Sequence, residues 1–243
     1  MKKDKSMSKV ILIIAVIIEM MFLSMERAEA GSCDPWEGIP TITLRNPDKE
    51  VSYEKCMKEE GTSCTGGSLI TIGIADVGKF HGDVCAGSSF GFRACQIAFA
   101  HLYPGEIPPR GDQYVAMNPE RSCPTDAVSY ITGARYGKGA PATGIRNDDL
   151  VFDATLPSFS FIFASMSSGK AVKLVSQFVL PKEFMDLRAK TFSNQATPEE
   201  KIRFFHMGRC LSFKILTAPE KDIFTVTSLP DFDWRKCQEE SAQ

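Results

Sequence analysis

From Ala86 to Tyr103 apolar residues recur at helical spacing, with Phe90, Ala94, Ile97, Ala98 and Leu102 on one face, and Pro104-Gly105 closes the run. A helix with such a stripe draws its stability from what covers it, so the rest of the chain must supply a packing surface. Its opening turns are built from Gly87, Ser88, Ser89 and Gly91, residues of poor helix propensity. Small residues there serve either close approach of a backbone or ligand, or tight packing against a strand. Cys85 stands just ahead of them.

The residues leading into this helix, Lys79-Phe80-His81-Gly82-Asp83-Val84-Cys85, read as a polar loop. A second cysteine has the same relation to a second helix. After the turn Asn118-Pro119-Glu120-Arg121, Pro124 fits the first helical position, which puts Cys123 at the cap and Asp126 in the first turn. Ala127, Val128 and Ile131 give that helix its buried face, and Gly133 ends it. At a helix start, unsatisfied N–H groups and the positive end of the dipole favour a thiolate, the better nucleophile and the better metal ligand. His81 lies four residues before Cys85.

Strand patterns surround these helices. Gln113 to Met117, Leu150 to Ala154, Ser158 to Ala164 and Ala171 to Phe178 read as strands, the last two joined as a hairpin by Ser167-Ser168-Gly169-Lys170. Alternation places Phe159, Phe161 and Phe163 on one face, expected to be core, with an aromatic ligand-stacking surface as the weaker alternative. Leu69 to Ile74 predicts a strand or a buried helical turn. Beyond Pro181 the period becomes helical, over Lys182 to Lys190 and Thr197 to Lys214, the second opened by Thr197-Pro198-Glu199-Glu200. Phe204, Phe205, Leu211 and Ile215 are expected to face inward. His206 and Cys210 share a helix face, but an aromatic-rich helix with Cys210 buried or in a disulfide fits them better than half a metal site. Ile223 to Ser228 predicts a final strand and Asp231 to Gln243 a tail that ends in polar residues.

The first thirty residues predict a secretory signal: lysines at 2, 3, 5 and 9, an apolar run from Val10, and Ala28-Glu29-Ala30 as a cleavage site. Glu19 interrupts the run, which falls short of the ~20 residues that span a bilayer, so a retained anchor is the weaker alternative. Residues 31–68 then form an arm with a strand at Thr41 to Leu44 and a short helix at Ser52 to Lys58. Residues 69–230 make the main domain and 231–243 the tail. Export exposes the eight cysteines to an oxidising compartment, where Cys56–Cys64 and Cys33–Cys237 are the plausible disulfides. No CxxC occurs, which argues against a thioredoxin-type motif and a zinc knuckle. The net charge of −2 and the absence of a basic stripe exclude a nucleic-acid binder.

Five ordered segments resemble the FmdE domain, whose name comes from formylmethanofuran dehydrogenase and its operon. They are Phe80-His81-Gly82-Asp83-Val84-Cys85-Ala86-Gly87, Gly91-Phe92-Arg93, Cys123-Pro124-Thr125-Asp126-Ala127, Thr132-Gly133-Ala134-Arg135-Tyr136-Gly137-Lys138-Gly139 and Ser168-Gly169-Lys170-Ala171-Val172. The resemblance implies an α+β fold, helices packed on a mainly antiparallel sheet, with a cavity lined by the hallmark His and Cys residues. This chain departs from the pattern at Asp83, where the family has a second histidine, and at Ala86, where it has proline. It also lacks the cysteine-rich finger that some relatives carry at the C-terminus.

Three functions follow. The first is an exported protein that binds a divalent metal such as zinc, or a metal-containing cofactor, through His81, Cys85 and Cys123. Asp83 or Asp126 then supplies a fourth ligand or supports one, and a small molecule takes the open position. The second is a thiol enzyme: Cys85 or Cys123 as nucleophile or redox thiol, His81 as base, Lys138 or Arg93 orienting an anionic substrate. The third is a binding module in which Cys85 and Cys123 form a disulfide. A homodimer is compatible with each. Export separates the protein from cytoplasmic formylmethanofuran oxidation.

Overall fold

Alternation in the middle of the chain builds a sheet with two apolar faces. The computed structural model describes residue 36 and residues 38–46, 69–118, 122–136 and 149–236. Its five-stranded sheet comprises β3 (Gln113–Met117), β4 (Leu150–Phe152), β5 (Phe161–Ser165), β6 (Ala171–Ser176) and β7 (Phe224–Ser228), in the order β4-β3-β5-β6-β7. Every neighbouring pair is antiparallel except β3 with β4. Val115 faces Phe163, and Phe163 in turn faces Val172. These residues, with Phe161 and Leu174, join the main core under the helices. Tyr114, Ala116, Ile162 and Ala164 point the other way into a smaller core. Two shorter strands, β1 (Ile42–Arg45) and β2 (Leu69–Ile72), pair separately as an antiparallel ribbon.

The tail expected from Asp231 begins on the second face of the sheet. Phe232 and Trp234 pack on the smaller core, because an apolar second sheet face needs cover. The strand expected over Ser158 to Ala164 begins later, at Phe161, and Phe159 stands ahead of it with φ 55°. The arm's short helix, both suggested disulfides and Lys138 lie outside the described residues.

Helices cover the main face. They are α1 (Ile74–His81), α2 (Ala86–Leu102), α3 (Ser122–Thr132), α4 (Lys182–Phe192), α5 (Pro198–Thr217) and the single turn α6 (Glu220–Ile223). The longest apolar stripe read from the sequence, α2, sits at the centre against α1, α3, α5, β5 and β6. Phe90 is fully buried there, stacked on Phe159 with ring centroids 4.5 Å apart and edge-on to Phe178 and Phe224. Burying such a ring is worth about 1.5–3 kcal/mol. The small residues that open α2 serve helix–helix contact, not a strand. A Cβ on Gly91 would lie 2.6 Å from the Pro124 carbonyl oxygen and one on Gly87 would lie 2.7 Å from the Cys123 Cβ. Their bare backbone lets α3 lie directly on α2.

Farther along, Thr197 caps α5 in a box with Glu200, as its start signal predicts: Glu200 N–H donates to Thr197 Oγ1 at 3.2 Å and Thr197 N–H to the Glu200 carboxylate at 3.0 Å. Phe204, Leu211 and Ile215 are buried. Phe205, expected inside, is 56% exposed, its ring edge-on to that of buried Phe204. No described helix is long and apolar enough to cross a membrane.

Candidate metal centre

The centre is assembled from one helix end and two helix beginnings. His81, expected in a loop, is instead the last residue of α1, because Asp76 caps that helix by accepting the Gly73 N–H at 3.0 Å. Gly82 follows with φ 99° and donates its N–H to the Gly78 carbonyl at 2.8 Å. That left-handed residue reverses the chain so that Cys85 returns beside His81 as the N-cap of α2. The cap is reciprocal. Ser88 N–H donates to Cys85 Sγ at 3.4 Å and Cys85 N–H donates to Ser88 Oγ at 2.9 Å, a capping box with sulfur where a hydroxyl is usual.

Cys123 comes from α3. That helix begins at Ser122, so Cys123 lies in its first turn and not at the cap. The absence of a side chain at Gly87 brings it to Cys85. Among the described residues, His81, Cys85 and Cys123 form a group whose ligand atoms all lie within 4.8 Å of one another. His81 Nε2 is 3.8 Å from Cys85 Sγ, and its Nδ1 is 2.7 Å from a carboxylate oxygen of Asp126, one turn beyond Cys123. All three are half-buried. Cys85 and Cys123 keep separate sulfurs and form no disulfide with each other.

The electrostatics follow from this geometry. A hydrogen bond from Cys123 is the main influence on the Cys85 thiol. Burial opposes it, but Ser88 and the nearby His81 add to it, and the thiol falls from an ordinary 9.0 to about 5. For His81 burial works against protonation, yet the Asp126 hydrogen bond with the charges of Cys85 and Asp126 outweighs it and raises the imidazole above 6.5. Buried Cys95 is pushed the other way by desolvation alone.

The donor set suits a tetrahedral ion. With metal–sulfur and metal–nitrogen bonds of about 2.3 and 2.0 Å, ligand atoms at tetrahedral corners stand roughly 3.5–3.8 Å apart, and the His81–Cys85 separation already lies there. Asp126 fixes the imidazole so that Nε2 faces the sulfurs, the usual arrangement of a metal-binding histidine. Three protein donors would leave one position open.

A cavity of about 250 Å³ opens from these residues. Asp83 lines it but is exposed and stands outside the donor group. Arg93 is not brought here. Its guanidinium donates to Gln96 Oε1 at 2.9 Å and to the Ala218 carbonyl at 3.1 Å, away from the cavity. Phe159, from the aromatic face read in the sequence, borders the cavity, but sequence reasoning missed the far walls, where Phe184, Arg188, Phe204, Gly208 and Arg209 look in. A signal was present: Phe184, Arg188 and Phe192 recur at four-residue spacing, so one face of α4 mixes aromatic rings with a cation.

The sequence profile of the FmdE family, described as FmdE, molybdenum formylmethanofuran dehydrogenase operon, matches residues 80–225. Among solved structures, the chain is similar to the crystal structure of a tungsten formylmethanofuran dehydrogenase FmdE-like protein from Syntrophus aciditrophicus. The two share 16% identity over 64% of this chain and 69% of that one, with a TM-score of 0.36. No curated protein matches the chain.

Proposed function

The chain belongs to the FmdE family, and we propose that it is an exported protein that binds one divalent metal ion, zinc by preference, through His81, Cys85 and Cys123. One observation carries the reading: three donors from three helices converge within 4.8 Å while Asp126 holds the far nitrogen of the histidine. Two thiolates and an imidazole are a soft donor set, which suits zinc better than magnesium or calcium. Once bound, the ion would supply a Lewis-acid position open to a small ligand. The leader supports export. Mature protein purified under reducing conditions is expected to keep one equivalent of zinc through dialysis, read by mass spectrometry of the metal; protein that holds none overturns the reading.

Gly87 offers a check on how the centre is held. Gly87→Ala places a methyl against Cys123 without removing any ligand. Zinc affinity is expected to fall about 10–100-fold, the range for lost support of a ligand, with the circular dichroism spectrum unchanged. Unaltered affinity would mean that the α2–α3 approach does not set the centre.

A second reading, a thiol enzyme, is favoured by the contact of Cys85 Sγ with a helix N-terminus and by His81 Nε2 at 3.8 Å. In metal-free protein Cys85 is expected to alkylate with iodoacetamide at pH 6, with half-maximal rate near pH 5, where a cysteine at its ordinary 9.0 is protonated and slow. Cys95 is the internal control, inert through burial. Turnover also requires an accessible sulfur in the metal-loaded protein, so protection of Cys85 by zinc decides for the metal reading.

A further inference from the structure

We infer that the cavity beside His81, Cys85 and Cys123 binds a small aryl carboxylate, its ring among Phe159, Phe184 and Phe204 and its carboxylate on Arg188. This deepens the proposed metal centre and rests on it only for what the far edge of the ligand faces; the wall and arginine contacts need no ion. The volume, about 250 Å³, lies below the ~300–1,000 Å³ of sites for drug-sized molecules. It admits one small ligand.

The walls select for a flat apolar body. Phe184 and Phe204 are stacked with centroids 5.1 Å apart and an interplanar angle of 18°. Phe159 reaches the cavity from a backbone at φ 55°, a conformation that a bulky residue seldom adopts without support around it. Gly208 keeps the space open from within α5. A helix-interior glycine costs about 1 kcal/mol against alanine, and here a Cβ would meet only the Phe184 ring, at 3.7 Å.

The charge selects for an anion. On α4 and α5, Lys182 pairs with Asp186, Lys190 with Glu200 and Arg203 with Glu183. Among the described residues no salt bridge engages Arg188. Its guanidinium lies 5.0 Å from the centre of the Phe192 ring and borders the cavity. Arg209 borders the same space and adds positive charge, while Asp83 is the acid of the lining, on the loop between His81 and Cys85. A planar guanidinium over an aromatic ring matches the two oxygens of a carboxylate. A phosphate would call for several converging donors, such as a glycine-rich loop supplies.

Calorimetric titration of mature protein, metal-free and zinc-loaded, with benzoate, phenylacetate and benzyl alcohol tests the inference. At least one carboxylate is expected to bind saturably at one equivalent to both forms, and the neutral alcohol at least tenfold more weakly. Arg188→Gln is expected to weaken the carboxylate at least tenfold. Gly208→Leu fills the cavity and is expected to abolish binding while zinc is kept; if that variant does not fold, Arg188→Gln decides alone. No saturable carboxylate binding, equal affinity for the alcohol, or indifference to Arg188→Gln overturns the proposal. Zinc kept without carboxylate binding defeats this inference and leaves the metal centre standing. Carboxylate bound by a chain that keeps no zinc does the reverse.

Discussion

Replacing either Cys85 or Cys123 by serine is expected to reduce retained zinc from one equivalent to almost none, with little change in fold. Serine is close to cysteine in shape, and both sites are half-buried, so packing is preserved. The Cys85→Ser hydroxyl also keeps the α2 cap, since serine is a preferred residue at that position. What is lost is an anionic sulfur. A serine hydroxyl stays protonated at neutral pH and offers zinc a weak neutral oxygen. Asp126→Asn grades the effect: it leaves all three donors in place and removes the carboxylate on His81 Nδ1, for an expected loss of about 10–100-fold in affinity. Competition titration with a chromophoric chelator ranks the series. Serine variants that hold zinc as tightly as the parent would show that the sulfurs are not ligands.

Gly91→Leu is expected to be the most destabilising single change near the centre. The added Cβ would stand 2.6 Å from the Pro124 carbonyl oxygen, 2.8 Å from the Ala127 Cβ and 3.0 Å from the Pro124 Cα. Backbone atoms cannot rotate aside, so α3 must move off α2 and take Cys123 with it. Overpacking costs ~1–3 kcal/mol and sometimes more, and a clash against backbone belongs at the top of that range, about 3 kcal/mol. For a chain of this size the melting temperature would fall about 6–12 °C. Gly208→Ala supplies the contrast. It too lies inside a helix, but its new methyl meets open space and one ring edge at 3.7 Å, so it is expected to raise stability by up to about 1 kcal/mol. Differential scanning calorimetry of the two variants should show shifts of opposite sign; a Gly91→Leu melting point equal to the parent's would refute the close-contact account.

Much of the fold is legible because local signals agree with the tertiary structure. The apolar stripe of α2, the alternation of β3, and the Thr197-Pro198-Glu199-Glu200 start of α5 each specify an element whose observed limits lie close to those expected. The errors have physical causes. Phe205 has the right period to face inward, yet α5 turns it outward while Phe204 beside it is buried. Arg93 follows a family-like motif, but it rides the face of α2 turned toward Ala218 and away from the cavity.

By itself the sequence determined which side chains are candidates for the chemistry and where along the chain each stands: a histidine four residues before one cysteine, and a second cysteine at the start of another helix. Capping preferences and helical period are local, and local order is what a sequence states directly. Only the tertiary structure decided that these pieces meet. The approach of α3 to α2 depends on two side chains that Gly87 and Gly91 do not have, and a missing atom leaves no periodic signature. The same holds for the opposite wall, where the packing of α4 and α5 placed Arg188 and the phenylalanines across from the sulfurs, a juxtaposition of residues some hundred positions apart that no local preference encodes.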